Sequence, residues 1–423
     1  MKLDLTDLIY ALSFAMDKVE YELLGIETGH GRRVACLCLF MAEYAGIRGE
    51  ELRDYIGCCV LHDNALTEFI HEELDNFKHI TDESGKQLSD VISIEYVERD
   101  SNHGKIGERN IHLVPFRTNV DNIILYHHEN ADGSGALGKT AADTNLKTQI
   151  LHLADEIDIH YKLSSLTESE FNKISEWVES QSGKMFSKKA VQLFQDAVTY
   201  EKISYLKNKG AFASLKRELR TVTCDYTDEE IHSFATMFAR ITDYKSEFTE
   251  THSLGVADKA EQMANYYGFD HEKATRFYLA GALHDIGKLL VSNDILEKPG
   301  KLTDDEFAVM KDHASATRYV LRLVKGIPDV VKWASNHHEK LNGKGYPRGL
   351  TAEDLSLEER LLACVDIYQA LTEKRPYKDG MPHEKAIAIM QDMADKGEID
   401  AAIVQDIAVV MADASPVSDK SLT

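Results

Sequence analysis

Apolar residues recur along most of the chain with the period of an α-helix. The stretches "LTDLIYALSFAMDKV" (Leu5 to Val19), "VACLCLFMAEYAGI" (Val34 to Ile47), "EEIHSFATMFARITDY" (Glu229 to Tyr244), "VADKAEQMANYYGF" (Val256 to Phe269), "ATRFYLAGALHDIGK" (Ala274 to Lys288) and "EKAIAIMQDMADKG" (Glu384 to Gly397) carry them at i, i+3, i+4 and i+7. Asp, Glu, Lys or Gln stand between. Strand-like alternation is rare, and "DVISIEYVE" around Ile92 is the one stretch that predicts a short strand or hairpin. Proline, which cannot continue a helix, occurs only seven times. The pattern predicts an all-α fold.

The pattern also repeats. His30 precedes Val34-Ala35 as His252 precedes Val256-Ala257, and at the same offset Met41, Ala42, Tyr44 and Gly46 fall on Met263, Ala264, Tyr266 and Gly268. Leu61-His62-Asp63 falls on Leu283-His284-Asp285. Further on the offset shortens, so loop lengths differ, and "HHENADGSGAL" (His127 to Leu137) answers "HHEKLNGKGYP" (His337 to Pro347). Two homologous helical domains in tandem account for this. Their expected bounds are 1–163 and 226–415, with a helical connector over 164–225 and a short tail over 416–423. The connector holds "FNKISEWVESQ" and "KKAVQLFQDAVTYEKISYLKN", whose apolar period and shortage of Gly and Pro predict order. Such apolar connector helices are also compatible with a homodimer.

The chain has 423 residues and a formal net charge of −23. That charge excludes DNA and RNA polymers as partners, because they need a dense basic face. A small anionic substrate remains allowed if its site supplies its own positive charge from metal ions, Lys or Arg. No apolar run reaches the roughly 18 residues of a membrane helix, and the N-terminus lacks the basic stretch of a signal peptide. A cytoplasmic protein without a membrane partner is expected. The cysteines Cys36, Cys38, Cys58, Cys59, Cys224 and Cys364 form no Cys-x-x-Cys pair and read as reduced thiols, mostly buried.

Candidate chemistry concentrates in the second repeat. His252, His284, Asp285, His313, His337, His338 and Asp366 fall on separate predicted helices. A lone His on an amphipathic helix is usually a core or surface residue, but this many together point to metal. The set has no Cys, which excludes thiolate zinc sites, and imidazole with carboxylate suits iron or manganese and also nickel, cobalt or zinc. Seven ligands suit two ions rather than one, and Asp285 is the natural carboxylate to bridge them. Two close metals can activate water and steady the oxygens of a phosphoryl displacement. Lys288, three residues after Asp285, can face the same side. Arg375 and Lys378, in "KRPYK", add cations fit to hold phosphate. The loop "NGKGYPRG" should border the site.

Taken together, "HDIGK" (His284 to Lys288), "HHEKLNGKGYP" and "DIYQALTEKRPYK" resemble the HD-GYP family, all-helical phosphodiesterases of the HD superfamily that act on bacterial cyclic dinucleotides. The resemblance covers about residues 226–415. It implies that His252, His284, Asp285 and Asp366 hold one divalent metal and Asp285, His313, His337 and His338 the other. Lys288, Arg375 and Lys378 would hold substrate phosphates, with Gly345 and Tyr346 beside them. A hydroxide activated by the two metals would open cyclic di-GMP or 3′,3′-cyclic GMP-AMP to the linear dinucleotide, with Asp285 and Lys288 as catalytic residues. Some members hold a third metal with a Glu four residues before the first His; here that position is Phe248, so two metals are expected. Position 369 is Gln where an acidic residue is common. Two rival functions remain: a receptor that binds the dinucleotide without turnover, and a broader HD phosphohydrolase acting on mononucleotides.

The first repeat retains a candidate metal set in His30, His62, Asp63, His127, His128 and Asp155, with His103 as the counterpart of His313. It loses the phosphate set. Leu66 stands at the Lys288 position, Ser164 and Thr167 stand at those of Arg375 and Lys378, and Gly-Tyr-Pro becomes Gly135-Ala136-Leu137. This degenerate repeat therefore reads as a structural domain without catalysis, as a regulatory metal or nucleotide binder, or as a second enzyme.

Overall fold

A computed structural model describes residues 1–78, 97, 100–204, 206, 215, 223–245, 251–298, 300–374 and 379–412. Among these the chain forms 18 α-helices and two strands of two residues each. The helices are α1 Leu5–Leu24, α2 His30–Tyr44, α3 Gly49–Val60, α4 Leu66–Lys78, α5 Ser101–Ile111, α6 Leu146–His160, α7 Glu168–Ser180, α8 Lys188–Ala197 and α9 Tyr200–Ser204. They continue with α10 Asp228–Asp243, α11 His252–Tyr266, α12 His271–Leu283, α13 Asn293–Leu296, α14 Asp304–Leu321, α15 Pro328–Ser335, α16 Leu357–Thr372, α17 His383–Asp395 and α18 Ala401–Val410. The expected all-α class is what the chain adopts. No helix among the described residues is long and apolar enough to cross a membrane. The stretch around Ile92 lies outside the described residues, apart from Val97, which is helical.

The chain divides into two compact units. One is Asp4–Cys224; the other is Asp225–Thr423 with Met1–Leu3, whose Met1 ammonium donates to the Tyr226 carbonyl at 2.8 Å. In the first unit α2 packs on α3 and α6. In the second α11 packs on α12 and α16 in the same way. Each central helix therefore begins at the first His of its repeat and is covered by the helix that leads into the His-Asp pair and by the helix that carries the later Asp. The predicted connector does not stand alone: α8 packs on α2 and α6. Its longer segment breaks at Val198, whose extended backbone ends α8.

Local sequence sets the helix ends. Asp4 caps α1 by accepting from Thr6 N–H at 3.1 Å. Thr227 with Glu230 and Thr303 with Glu306 form reciprocal capping boxes on α10 and α14, and the Ser356 N–H donates to Glu359 at 2.8 Å at the start of α16. Cores are aliphatic and aromatic, with Leu8, Leu12, Leu37 and Tyr55 in the first unit and Phe234, Phe238, Phe277 and Leu361 in the second fully buried. Cys36, Cys38, Cys58, Cys59 and Cys364 are buried, Cys224 is half-buried, and all are free thiols.

Candidate metal centre

The helix expected to run through Lys288 stops at Leu283, and Ile286–Leu290 forms a tighter 3-10 turn. Gly287 explains the change. Its N–H donates to Thr317 Oγ1 at 3.0 Å, and a Cβ there would collide with the backbone of α14. Thr317 in turn donates to the His284 carbonyl at 2.8 Å. This tie fixes the His-Asp turn against α14, the helix that presents His313.

The turn aims Asp285 at two groups at once. Oδ2 lies 3.1 Å from His284 Nε2 and 3.9 Å from His252 Nε2. Oδ1 lies 3.4 Å from His313 Nε2 and 3.8 Å from His337 Nε2. Asp366, from α16, places Oδ1 3.1 Å from His252 Nε2 and 3.8 Å from His284 Nε2, and Oδ2 3.9 Å from His338 Nδ1. Candidate ligand atoms of His252, His284 and Asp366, of His284, Asp285 and His337, and of His313, His337 and His338 gather within 4.8 Å of one another. All seven residues expected to ligate metal are thus brought together.

The imidazoles are held in one tautomer. Nδ1 of His284, His313 and His337 donates to the carbonyls of Gly281, Met310 and Ala334 at 2.7, 2.7 and 2.6 Å. Each Nε2 lone pair is thereby directed into the cluster. His252 Nδ1 instead meets Glu373 Oε2 at 2.8 Å. Burial lowers the His252 pKa, but Asp366 and Glu373 outweigh it and lift the pKa to about 10. Burial also raises the Asp285 carboxyl, yet His284 and Lys288 hold it well below the usual carboxylate range. Burial pushes His338 down to about 4, and burial with the neighbouring His338 holds His337 well below its ordinary value. The buried Nε2 of His284 and Oδ1 of Asp285 make no hydrogen bond. Buried polar atoms seldom go unpaired. Charged carboxylates, the neutral imidazoles of His313, His337 and His338 and convergent unpaired atoms fit divalent cations, which would take the place of the protons that the carboxylates favour on His252 and His284.

Lys288 Nζ lies 2.6 Å from Asp285 Oδ2, and its side chain is 20% exposed, at the edge of the cluster. The Tyr346 ring lies 4.7 Å from the His338 ring between centroids. Gly345 is required sterically, since a Cβ would collide with Glu339 and Lys340. Arg375, Lys378 and Phe248 lie outside the described residues.

The first unit builds the same arrangement. Asp63 places Oδ2 3.5 Å from His62 Nε2 and 3.7 Å from His30 Nε2, and Oδ1 3.2 Å from His103 Nε2. Asp155 Oδ1 lies 3.1 Å from His30 Nε2 and 3.2 Å from His62 Nε2. Atoms of Asp63, His103, His127 and His128, and of His30, His62 and Asp63, again gather within 4.8 Å. His62 and His127 donate from Nδ1 to the Cys59 and Ile124 carbonyls at 3.0 and 2.5 Å.

Sequence reasoning missed three carboxylates. Glu373 orients His252 but reads in the sequence as the solvated end of α16. Glu339, in the "HHEK" stretch, accepts from the Arg348 and Leu350 N–H groups at 2.6 and 2.8 Å and so shapes the Gly-Tyr-Pro loop. Its counterpart Glu129 accepts from Leu137 and Lys139 N–H, both at 2.6 Å. The repeat offset would have found both loop carboxylates.

Fold and paired His-Asp clusters define a tandem HD-domain protein. Families described as HD domain match residues 28–159 and 236–403, one in each unit. The chain is 33% identical over 301 residues to the 3′3′-cGAMP-specific phosphodiesterase 1 of Vibrio cholerae, spanning 69% of this chain and 68% of that one. It is 39% identical to the 3′3′-cGAMP-specific phosphodiesterase 3 of the same organism, over 39% of this chain and 36% of the relative. A cyclic di-GMP phosphodiesterase of Pseudomonas aeruginosa is 40% identical over 34% of this chain and 36% of its own length. The crystal structure of a cyclic GMP-AMP-specific phosphodiesterase from V. cholerae, V-cGAP3, shares the fold, with a TM-score of 0.62 at 22% identity over 97% of this chain and 98% of that one. The chain belongs to the HD-GYP family.

Proposed function

We propose that the protein is a metal-dependent phosphodiesterase whose second unit opens a bacterial cyclic dinucleotide, cyclic di-GMP or 3′,3′-cyclic GMP-AMP, to the linear dinucleotide. The observation that carries this reading is the divided carboxylate of Asp285, with one oxygen toward His284 and His252 and the other toward His313 and His337. His252, His284, Asp285 and Asp366 would hold one ion, and Asp285, His313, His337 and His338 the other. Iron or manganese suits the set best, and nickel, cobalt or zinc is accommodated. Such a pair supplies activated water and positive charge for the phosphate oxygens.

The chain's own residues do the rest. Carbonyls of Gly281, Met310 and Ala334 keep the imidazoles aimed. Lys288 offers an ammonium to a phosphate oxygen at the rim. Tyr346 and Gly345 border the substrate, and Arg375 and Lys378 take phosphate contacts by their place in the sequence. The substrate class follows from relatives named for 3′3′-cGAMP and cyclic di-GMP. A cytoplasmic location fits the buried free thiols, which persist in reducing compartments.

The test is incubation of manganese- or iron-loaded protein with each cyclic dinucleotide separately. Products are identified by chromatography with mass detection, and Asp285→Ala runs in parallel. A linear product that the variant fails to make is expected. Tight binding without turnover would move the reading to a receptor, and turnover of mononucleotides alone would move it to a broader phosphohydrolase.

A further inference from the structure

The first unit keeps the cluster but changes what surrounds it. His103, His127 and His128 sit with ring centroids 3.8 to 5.5 Å apart, in a place where apolar side chains would pack at less cost. Both nitrogens of His103 and of His128, Nε2 of His127 and Oδ2 of Asp155 are buried without a hydrogen-bond partner. Each orphaned polar atom costs about 1–3 kcal/mol unless something fills the space between them. His30, His103 and His127 are fully buried. The orphans are therefore interior atoms aimed at one another, and a surface cluster open to water is excluded.

The changed surroundings favour cations and disfavour phosphate. Leu66, fully buried, replaces the ammonium of Lys288. Glu20, buried on α1 with Oε2 unpartnered, interacts electrostatically with His30, Asp17, Asp63 and His62. The His128 side chain is 11% exposed where that of His338 is 29% exposed. The ligand atoms come from α2, the turn after α3, α5, the turn before the "ADGSGAL" loop, and α6. Closed sites that join several elements are the structural kind.

We propose that the first unit holds its own pair of divalent transition-metal ions, in a closed centre that rejects phosphodiesters and ties that unit's helices together. His30, His62, Asp63 and Asp155 surround one ion, and Asp63, His103, His127 and His128 the other.

The test is metal content of the full chain after equilibration with manganese(II) or, separately, zinc(II), followed by desalting and elemental analysis. The second unit's site is first disabled by His284→Ala with Asp285→Ala. This double variant is expected to retain about two ions per chain, and adding Asp63→Ala is expected to remove them. Chelation should lower the unfolding midpoint of the double variant by roughly 5 °C and leave the triple variant unmoved. If Asp63→Ala prevents folding, as circular dichroism would show, His128→Gln in the double background is read instead and should lose about one ion. A double variant that retains neither metal, or third substitutions that leave its content unchanged, would overturn the proposal.

Discussion

His252 and His30 open equivalent helices, and each donates from Nδ1 to a carboxylate at 2.8 Å, but the carboxylates are not equivalent. In the first unit the partner is Asp158, one turn beyond Asp155 on α6, and Arg33 grips it at 2.6 and 2.8 Å. In the second unit that position is Gln369, and the carboxylate comes from Glu373, four residues on, at the residue that ends α16. Gln369 donates to Glu373 at 3.1 Å and accepts from Lys259 at 2.6 Å. The Arg33 position is Gly255, where a Cβ would collide with Gln369. These positions change as a set while the imidazole stays put. The outer positions differ without compensation: Lys288 against Leu66, Tyr346 against Ala136. What the units share is a buried cluster of imidazoles and carboxylates that could hold metal; what separates them is the side chains at its rim.

The largest expected effect would break that comparison if it failed. Asp285→Ala removes the carboxylate shared by both groups of imidazoles, and turnover should fall on the order of 10³-fold or more. Asp63→Ala makes the same change in the first unit and should leave turnover within about twofold. Product formation with saturating manganese measures both; equal losses in two folded proteins would mean that the first unit takes part in catalysis. Lys288→Leu gives the second unit the first unit's residue. Loss of one charge-assisted contact worth about 1.5–3 kcal/mol predicts a drop of roughly 10- to 100-fold in kcat/KM. Metal content should be unchanged. A loss of metal in this variant would instead make Lys288 a support for Asp285.

The fold class, the tandem repeat and the clustered set were legible because helices impose a strong period, and because His and Asp recur at matched distances from the helix starts. The residues that orient the cluster were not. Glu373 beside "KRPYK" looks like an exposed charge until α16 places it against His252. Glu20 on α1 looks like one polar residue of an amphipathic helix until the fold buries it. The stop at Leu283 was hidden too, since "LAGALHDIGK" keeps a helical period while Gly287 is needed for its lack of a side chain against α14. In each case the deciding contact is between residues far apart in sequence, which local pattern does not encode.

Glu373→Gln sharpens the comparison at its orienting carboxylate. The substitution keeps the side chain's size and an oxygen that can accept from His252, but removes the charge that holds the ring and raises its basicity. Metal affinity of the second unit should fall about 10- to 100-fold, with turnover restored by excess manganese. Asp158→Asn is the matching change and should weaken retention of the first unit's metal while leaving turnover alone. Titration of activity against added metal separates these outcomes, and an activity loss in Glu373→Gln that excess metal does not restore would place Glu373 in direct contact with substrate.

The smallest effect concerns the loop that differs most by eye. Gly345→Ala would drive a Cβ against the backbone of Glu339 and Lys340, and Gly135→Ala would set one 2.8 Å from Glu129 Cα. Both loops hang on their Glu, so both variants should lose about 1–3 kcal/mol of stability through overpacking, read as a lower unfolding midpoint. Only Gly345→Ala should also reduce turnover, by displacing Tyr346 from its place beside His338. If Gly135→Ala costs as much turnover as Gly345→Ala, the two loops serve one site, and the division of labour argued from Lys288 and Leu66 does not extend to them.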